Sequence, residues 1–207
     1  MTKQQKLCLA IDTASDETSV ALCTENDSFA VSHMTAARGQ GEALMSMIQD
    51  VLQQMEKAPK DLTHIAVTIG PGSFTGVRIG LATARGLGLA LNIPVLGIDN
   101  FTATAHDLKK DVVIVLDSKR DDYFVQSFDA KGTAKDNPSL KTSSQLKKDL
   151  PFIACGTGAN QLAQKIGCKT ICPIQDLALS TAQIALHHLE KTTEPHPLYL
   201  RDADVTI

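Results

Sequence analysis

The sequence predicts an α/β protein of two related lobes, divided as residues 1–109 and 110–207. Three observations carry this expectation. After an opening antiparallel meander, apolar strands alternate with helices between residues 42 and 108, the order that places parallel strands beside one another. The plan of residues 7–23 is an apolar strand, a terminal aspartate, a polar turn and a returning strand; it recurs at 112–128, with Asp117 in the place of Asp12. Between the two repeats a glycine-rich loop, Gly70 to Gly80, launches a long helix. The 207 residues suffice for one large domain or two small lobes, each with a modest core.

The elements follow in order. Leu7, Leu9 and Ile11 alternate with Cys8, Ala10 and Asp12, a strand buried on both faces. The turn from Asp12 to Ser19 is rich in hydroxyls and carboxylates, and Val20–Cys23 returns. A third strand runs from Ser28 to His33. The Asp12 turn reads in two ways: a seat for phosphate or a hydrated cation, or a solvated turn capped by its own side chains. Glu42–Glu56 is amphipathic, with Leu44, Ile48, Val51, Leu52 and Met55 on one stripe and Met45 and Met47 at its edges. Its methionines suit either an adaptable contact surface or core filling. His64–Ile69 is the strand that delivers the chain to the glycine loop.

In that loop Pro71 presets φ and Gly72 is expected to hold an unusual backbone angle. Ser73 or Thr75 caps the helix that runs to Leu91. Gly76, Gly80, Gly86 and Gly88 each weaken this helix by about 1 kcal/mol relative to alanine, so packing from outside must offset them. At about 100° per residue, Gly76, Gly80, Ala84 and Gly88 share one side, and Ala82, Gly86 and Ala90 lie near the opposite one. Arg78 and Arg85 share a narrow polar stripe. We expect one side to pack on a sheet and another to receive a helix, either within the domain or from a partner chain. The expected interface comprises Leu44, Met45, Ile48, Leu52, Met55, Gly76, Gly80, Ala84, Arg85 and Gly88.

Val95–Ile98 is the next strand, and Asp99 caps a helix reaching about Leu108. Val112–Leu116, ending in Asp117, and Tyr123–Phe128 form the second hairpin. Residues 129–150 read as polar loop with a short helix near Ser144–Lys148. Phe152–Cys155 is a strand, and Gly156-Thr157-Gly158-Ala159 opens a helix to Ile166. The last helix spans Leu179–Glu190, followed by an extended tail.

Charge and composition exclude several functions. Twenty basic against 23 acidic residues give a net charge of −3, with no footprint for gripping a phosphate backbone alone. Tryptophan is absent and aromatics are 4%, so base-stacking platforms are not expected. The apolar runs are too short to span a bilayer. Five cysteines with no secretion-signal core ahead of them lead us to expect reduced thiols in the cytoplasm. The loop is no Walker A motif, because Val77 follows Gly76 where lysine is needed. Nor is it a dinucleotide fingerprint, because Gly70 and Gly72 lack a glycine at 75. No HExxH or HxxxH appears among the six histidines, and no serine has a GxSxG setting. The residues point to a non-catalytic or catalytically degenerate protein.

Ile69-Gly70-Pro71-Gly72-Ser73-Phe74-Thr75-Gly76-Val77-Arg78-Ile79-Gly80 resembles the hallmark of the TsaB (YeaZ) family. Ala10-Ile11-Asp12-Thr13, Glu42-Ala43-Leu44, Leu116-Asp117-Ser118-Lys119-Arg120 and Pro197-Leu198-Tyr199-Leu200-Arg201 add to it. The resemblance implies an actin/hexokinase-like (ASKHA) fold with a reduced second lobe. It implies an accessory, non-catalytic role beside TsaD, which transfers threonylcarbamoyl to the adenosine next to the tRNA anticodon, with the ATPase TsaE joining the complex. It implies a homodimer when alone, formed through the surface that meets TsaD, and only indirect contact with tRNA. No cofactor is expected for the subunit itself. Weak binding of ATP or ADP with magnesium in the complex would fall on Asp12, Thr13 and Ser15. Alternatives are a glycoprotease-like metallopeptidase, which lacks its histidines here, and a kinase-like ATPase using Asp12 and Asp117.

Overall fold

The computed structural model describes residues 5–15, 17–35, 39–173 and 176–201. Residues 1–4, and Asp16 of the polar turn, lie outside them.

The first unit is built on a five-stranded sheet. Its strands are β1 (Leu7–Asp12), β2 (Thr18–Thr24), β3 (Phe29–Met34), β4 (His64–Thr68) and β5 (Val95–Ile98), in the order β3-β2-β1-β4-β5. β1, β2 and β3 pair antiparallel, and β4 and β5 join parallel. The alternation in β1 decides the layers. Leu9 and Ile11 face α1 (Gln40–Gln54) and α2 (Phe74–Leu91), where Leu44, Ile48, Val51, Val77 and Leu81 complete the core. Cys8 and Ala10, with Ala21, Cys23 and Ala66, face the other way. These small side chains let α6 (Leu177–His187) lie close against the sheet through Ala178, Ala182 and Ala185.

α6 revises the expected division. Residues 175–198 belong to the first unit with residues 1–103, and the second unit comprises 104–174 and 199–207. The reason is burial: every residue of α6 from Ala178 to Leu186 except Gln183 is buried, and the sheet of the first unit covers it. The helix starts two residues earlier than expected, at Leu177, and ends at His187. Asp176 is the cap, its Oδ1 accepting from Ala178 N at 2.8 Å and Leu179 N at 3.2 Å.

The second unit repeats the same topology. Its strands are β6 (Val112–Asp117), β7 (Asp122–Phe128), β8 (Ser139–Thr142), β9 (Ile153–Cys155) and β10 (Lys169–Ile171), in the order β10-β9-β6-β7-β8. β6, β7 and β8 form the antiparallel meander, and β9 and β10 add parallel. Asp117 thus ends β6 as Asp12 ends β1. α4 (Ser143–Lys147) and α5 (Ala159–Ile166) cover one face, through Leu146, Ala159 and Leu162 on Val115, Tyr123 and Val125. The stretch expected as loop with one helix also contains β8, which pairs with β7 from Ser139 to Thr142. α3 (Asn100–Ala105) is shorter than expected. Asp99 does cap it, accepting from Thr102 N at 2.9 Å and Thr102 Oγ1 at 2.7 Å.

Candidate functional site

Two regions of the first unit carry the candidate residues. The first is the interlock of the Asp12 turn with the glycine loop. Ser73 caps α2, accepting from Gly76 N at 3.1 Å. Thr13 Oγ1 donates to Gly76 O at 2.7 Å, and Ser73 N donates to Ala14 O at 2.8 Å. A Cβ on Gly76 would stand 1.8 Å from Thr13 O, and one on Gly72 would stand 2.2 Å from Ala14 O. The glycines are there so that two backbones can touch. The left-handed angle expected at Gly72 is found at Gly70 instead, at φ 97°. Asn100 fastens the loop from behind, accepting from Gly70 N at 3.1 Å while its own N–H donates to Gly70 O at 2.8 Å.

Asp12 lies beneath this interlock and is 1% exposed. Thr68 Oγ1 donates to its Oδ1 at 2.6 Å, and Ala14 N at 3.1 Å. Burial pushes its pKa up to about 6, against the opposing hydrogen bonds from Thr68, Ser15 and Ala14. The carboxylate of Asp176 adds to the rise; that residue's Oδ2 is also 3.2 Å from His33 Nδ1. Of the three expected cofactor residues, Asp12 and Thr13 are buried and bonded within the fold, and Ser15 is half-buried. The Thr13 hydroxyl hydrogen is engaged by Gly76 O and the Asp12 carboxylate accepts from Thr68 and Ala14, so neither side chain offers a donor to a phosphate. Thr68 and Asn100 were not read from the sequence. The available signal was a polar residue ending β4 ahead of the loop and another just past the end of β5.

The second region is the outer surface of α1 and α2, and here the expected interface needs correction. Gly76, Gly80, Ala84 and Gly88 are buried inside the unit. A Cβ on Gly80 would meet Thr13 Oγ1 at 2.5 Å, and one on Gly88 would meet Val95 Cγ2 at 2.3 Å. That stripe of small residues lets the helix sit on β1, β4 and β5 of its own chain. Leu44, Ile48 and Leu52 are core residues too, at 1%, 4% and 4% exposure. Met55 is half-buried against the same core. Arg85 is exposed but occupied: it donates to Pro195 O and approaches His196 Nδ1 at 3.5 Å. With Leu198 N donating to Ile69 O at 2.8 Å, it straps the tail to this unit.

The opposite small stripe faces water. Ala82, Gly86 and Ala90 are exposed, and a Cβ on Gly86 would meet nothing within 4 Å. Leu89 stands among them at 86% exposure. Met45 on α1 is 47% exposed and Phe74 at the start of α2 is 36% exposed, with the Arg78 guanidinium 3.7 Å from the Phe74 ring centre. Among the described residues no group of three His, Cys, Asp or Glu side chains converges as a metal site, and Cys168 is buried while Cys172 is exposed. No helix among them is long and apolar enough to cross a membrane.

A family model described as TsaD, tRNA N6-adenosine threonylcarbamoyltransferase, matches residues 31–205. The chain is 39% identical over 98 residues to the tRNA threonylcarbamoyladenosine biosynthesis protein TsaB of Escherichia coli, covering 47% of this chain and 42% of that one. The chain belongs to this family, on its TsaB/YeaZ side. It is 32% identical over 118 residues to the TsaB of Buchnera aphidicola subsp. Schizaphis graminum, covering 55% and 56%. The chain spans about half the length of these curated relatives, at 42% and 56%.

Solved structures agree on the fold of this TsaB/YeaZ-family chain. YeaZ from Pseudomonas aeruginosa superposes with a TM-score of 0.78 at 22% identity, covering 94% of this chain and all of that one. The activator of the 2-hydroxyisocaproyl-CoA dehydratase from Clostridium difficile, with bound ADPNP, gives a TM-score of 0.56 at 11% identity, covering 89% and 96%. The fold is the actin/hexokinase-like one that the sequence resemblance implied, each sheet carrying the same strand order.

Proposed function

We propose that this chain is the non-catalytic partner subunit that binds a TsaD-type threonylcarbamoyltransferase and holds it active, so that threonylcarbamoyl reaches the adenosine beside the tRNA anticodon. TsaE joins the larger complex, and the chain pairs with itself when alone, in the cytoplasm. One observation carries the reading: α2 presents Leu89 to water at 86% exposure, and α1 presents Met45 at 47%. Small side chains at Ala82, Gly86 and Ala90 leave room for a helix to approach this surface closely. Large apolar side chains left in water beside such a small-residue stripe suit an interaction site. The curated relatives named as biosynthesis proteins of this modification, and the TsaD-type family model, support this choice of partner.

The subunit needs no cofactor for this role; weak ATP or ADP with magnesium would bind only in the complex, near Ser15. Calorimetry of the chain alone with ATP and magnesium is expected to show no heat of binding. The direct experiment measures threonylcarbamoyl transfer to tRNA by TsaD and TsaE with and without the chain. Transfer is expected only in its presence, and equal transfer in its absence refutes the reading.

A further inference from the structure

The net charge of −3 sums two unlike parts of the chain. Residues 104–174, the bulk of the second unit, hold eleven basic and eight acidic residues, and none of the acidic ones is glutamate. The rest of the chain holds nine basic and fifteen acidic residues. Within the second unit the excess is concentrated further. Residues 139–174 carry five lysines against Asp149 alone, and Asp149 is already paired, its Oδ2 3.1 Å from Lys141 Nζ.

That leaves Lys147, Lys148, Lys165 and Lys169, all exposed. The elements that carry them lie together. Lys147 ends α4 and Lys148 is its C-terminal cap. Lys165 is in the last turn of α5, and Lys169 opens β10 just beyond. Leu146 of α4 and Leu162 of α5 share one apolar cluster with Tyr123. Lys165 Nζ stands 5.5 Å from the Tyr123 ring centre, so its ammonium is held over that cluster. Gln161, Gln164 and Lys165, spaced i, i+3 and i+4, share one exposed face of α5. Among the described residues, the ion pairs of this unit use Lys119, Lys135 and Lys141 but none of the four lysines.

We propose that this face of the second unit binds the phosphate backbone of a folded RNA directly, where the family resemblance implied only indirect contact. The patch stands on the charge distribution; the choice of RNA among polyanions rests on the role proposed above. An ammonium is a point charge that meets a phosphate oxygen without a fixed geometry. The two glutamine amides add neutral donors for phosphate and ribose oxygens. A protein partner is disfavoured: protein interfaces are enriched in arginine and aromatic residues and depleted in lysine, whereas residues 139–174 hold five lysines, no arginine and no exposed aromatic. A membrane is disfavoured because none of the exposed large apolar residues lies on α4, α5 or β10. The same lack of exposed aromatic surface excludes stacking on single-stranded bases and leaves the backbone of a stem as the target.

The test is fluorescence anisotropy of the full chain with a labelled tRNA transcript at a series of salt concentrations. Log affinity is expected to fall with log salt with a slope of about −3, about 0.7–0.9 for each of four phosphate contacts. The double variant Lys147→Gln with Lys165→Gln should reduce the slope to about −1.5 and weaken binding about tenfold near physiological salt. The double variant Lys57→Gln with Lys60→Gln removes the same charge from exposed positions of the first unit and should leave both quantities unchanged. Thermal unfolding confirms that both variants fold. No binding at the lowest salt, equal weakening by the two double variants, or an affinity for polyglutamate or phosphatidylserine vesicles equal to that for the RNA would each overturn the proposal. The transfer assay separates the two claims. A chain that stimulates TsaD yet binds no RNA overturns this patch and leaves the partner role standing; RNA binding without stimulation does the reverse.

Discussion

Thr13 and Gly76 are locked together: the threonine hydroxyl donates to the glycine carbonyl at 2.7 Å, and a Cβ on the glycine would stand 1.8 Å from the threonine's own carbonyl oxygen. This contact joins the end of β1 to the first turn of α2 and leaves no space between the two backbones. Gly76→Ala is therefore expected to lower unfolding stability by about 3 kcal/mol, the upper range for overpacking, because a backbone cannot yield as a side chain can. Thr13→Val removes this second donor to the Gly76 carbonyl and should cost about 1 kcal/mol. Urea unfolding of the variants checks both values. A Gly76→Ala chain as stable as the parent would mean that the interlock is looser than described.

Gly86 provides the opposite case on the same helix. Nothing lies within 4 Å of the Cβ it lacks, so alanine there gains only helix propensity. Gly86→Ala is expected to raise stability by about 1 kcal/mol in the isolated chain. Thermal unfolding at a concentration where the chain is monomeric reads this out, and a destabilised variant would contradict the exposure of this stripe.

Asp12 makes a pH-dependent prediction. Its folded pKa of about 6 lies above the ordinary 3.8 of the unfolded chain, with burial as the main cause. A raised carboxylate favours the fold fully below its unfolded value, and that contribution is lost as pH rises through the folded one. Asp12→Asn keeps the Oδ1 acceptor for Thr68 and Ala14 and removes the charge. The variant and the parent should be equally stable near pH 4. The variant's advantage should grow between pH 4 and 6 and level off above, at about 2–3 kcal/mol. Differential scanning of both proteins across that range checks the sign; a constant difference would show that Asp12 is not a buried carboxylate.

The thiols divide by burial. Cys8, Cys23, Cys155 and Cys168 are buried and Cys172 is exposed. Burial is the main cause that pushes Cys23 up to about 11 and Cys155 to about 12, and it raises Cys8 and Cys168 as well. A thiol reagent at neutral pH should modify one cysteine in the native chain and all five after unfolding. Rapid native modification of two or more would contradict the burial.

The alternation of Leu9 and Ile11 with Cys8 and Ala10 was legible as a doubly covered strand, and the recurrence of Asp12 as Asp117 announced two sheets of one plan. The two small stripes of α2 were legible as well, but not which of them met the sheet. A helical wheel gives relative angles only; the choice was made by Thr13 and Ala14, whose backbone approaches Gly76 and Gly72 from more than fifty residues away in the chain. The expected interface accordingly included Gly76, Gly80, Ala84 and Gly88, which the chain covers itself, beside Met45 and Arg85, which are exposed. β8 and β10 were missed because Ser139–Thr142 and Lys169–Ile171 are short, lie at sheet edges and have little apolar alternation. α6 was read as a helix, but its return to the first sheet is a long-range event that local pattern does not encode.

The central claim is that the outer face of α2 makes the contact that activates the partner enzyme. The most direct measurement is threonylcarbamoyl transfer to tRNA by TsaD and TsaE with the parent chain and with Leu89→Asp, whose side chain touches no part of the first unit's core. We predict that the variant keeps its thermal stability and loses at least tenfold in stimulating activity, about 1.4 kcal/mol of association, restored by raising its concentration. Full stimulation by Leu89→Asp at the same concentration as the parent would contradict the account.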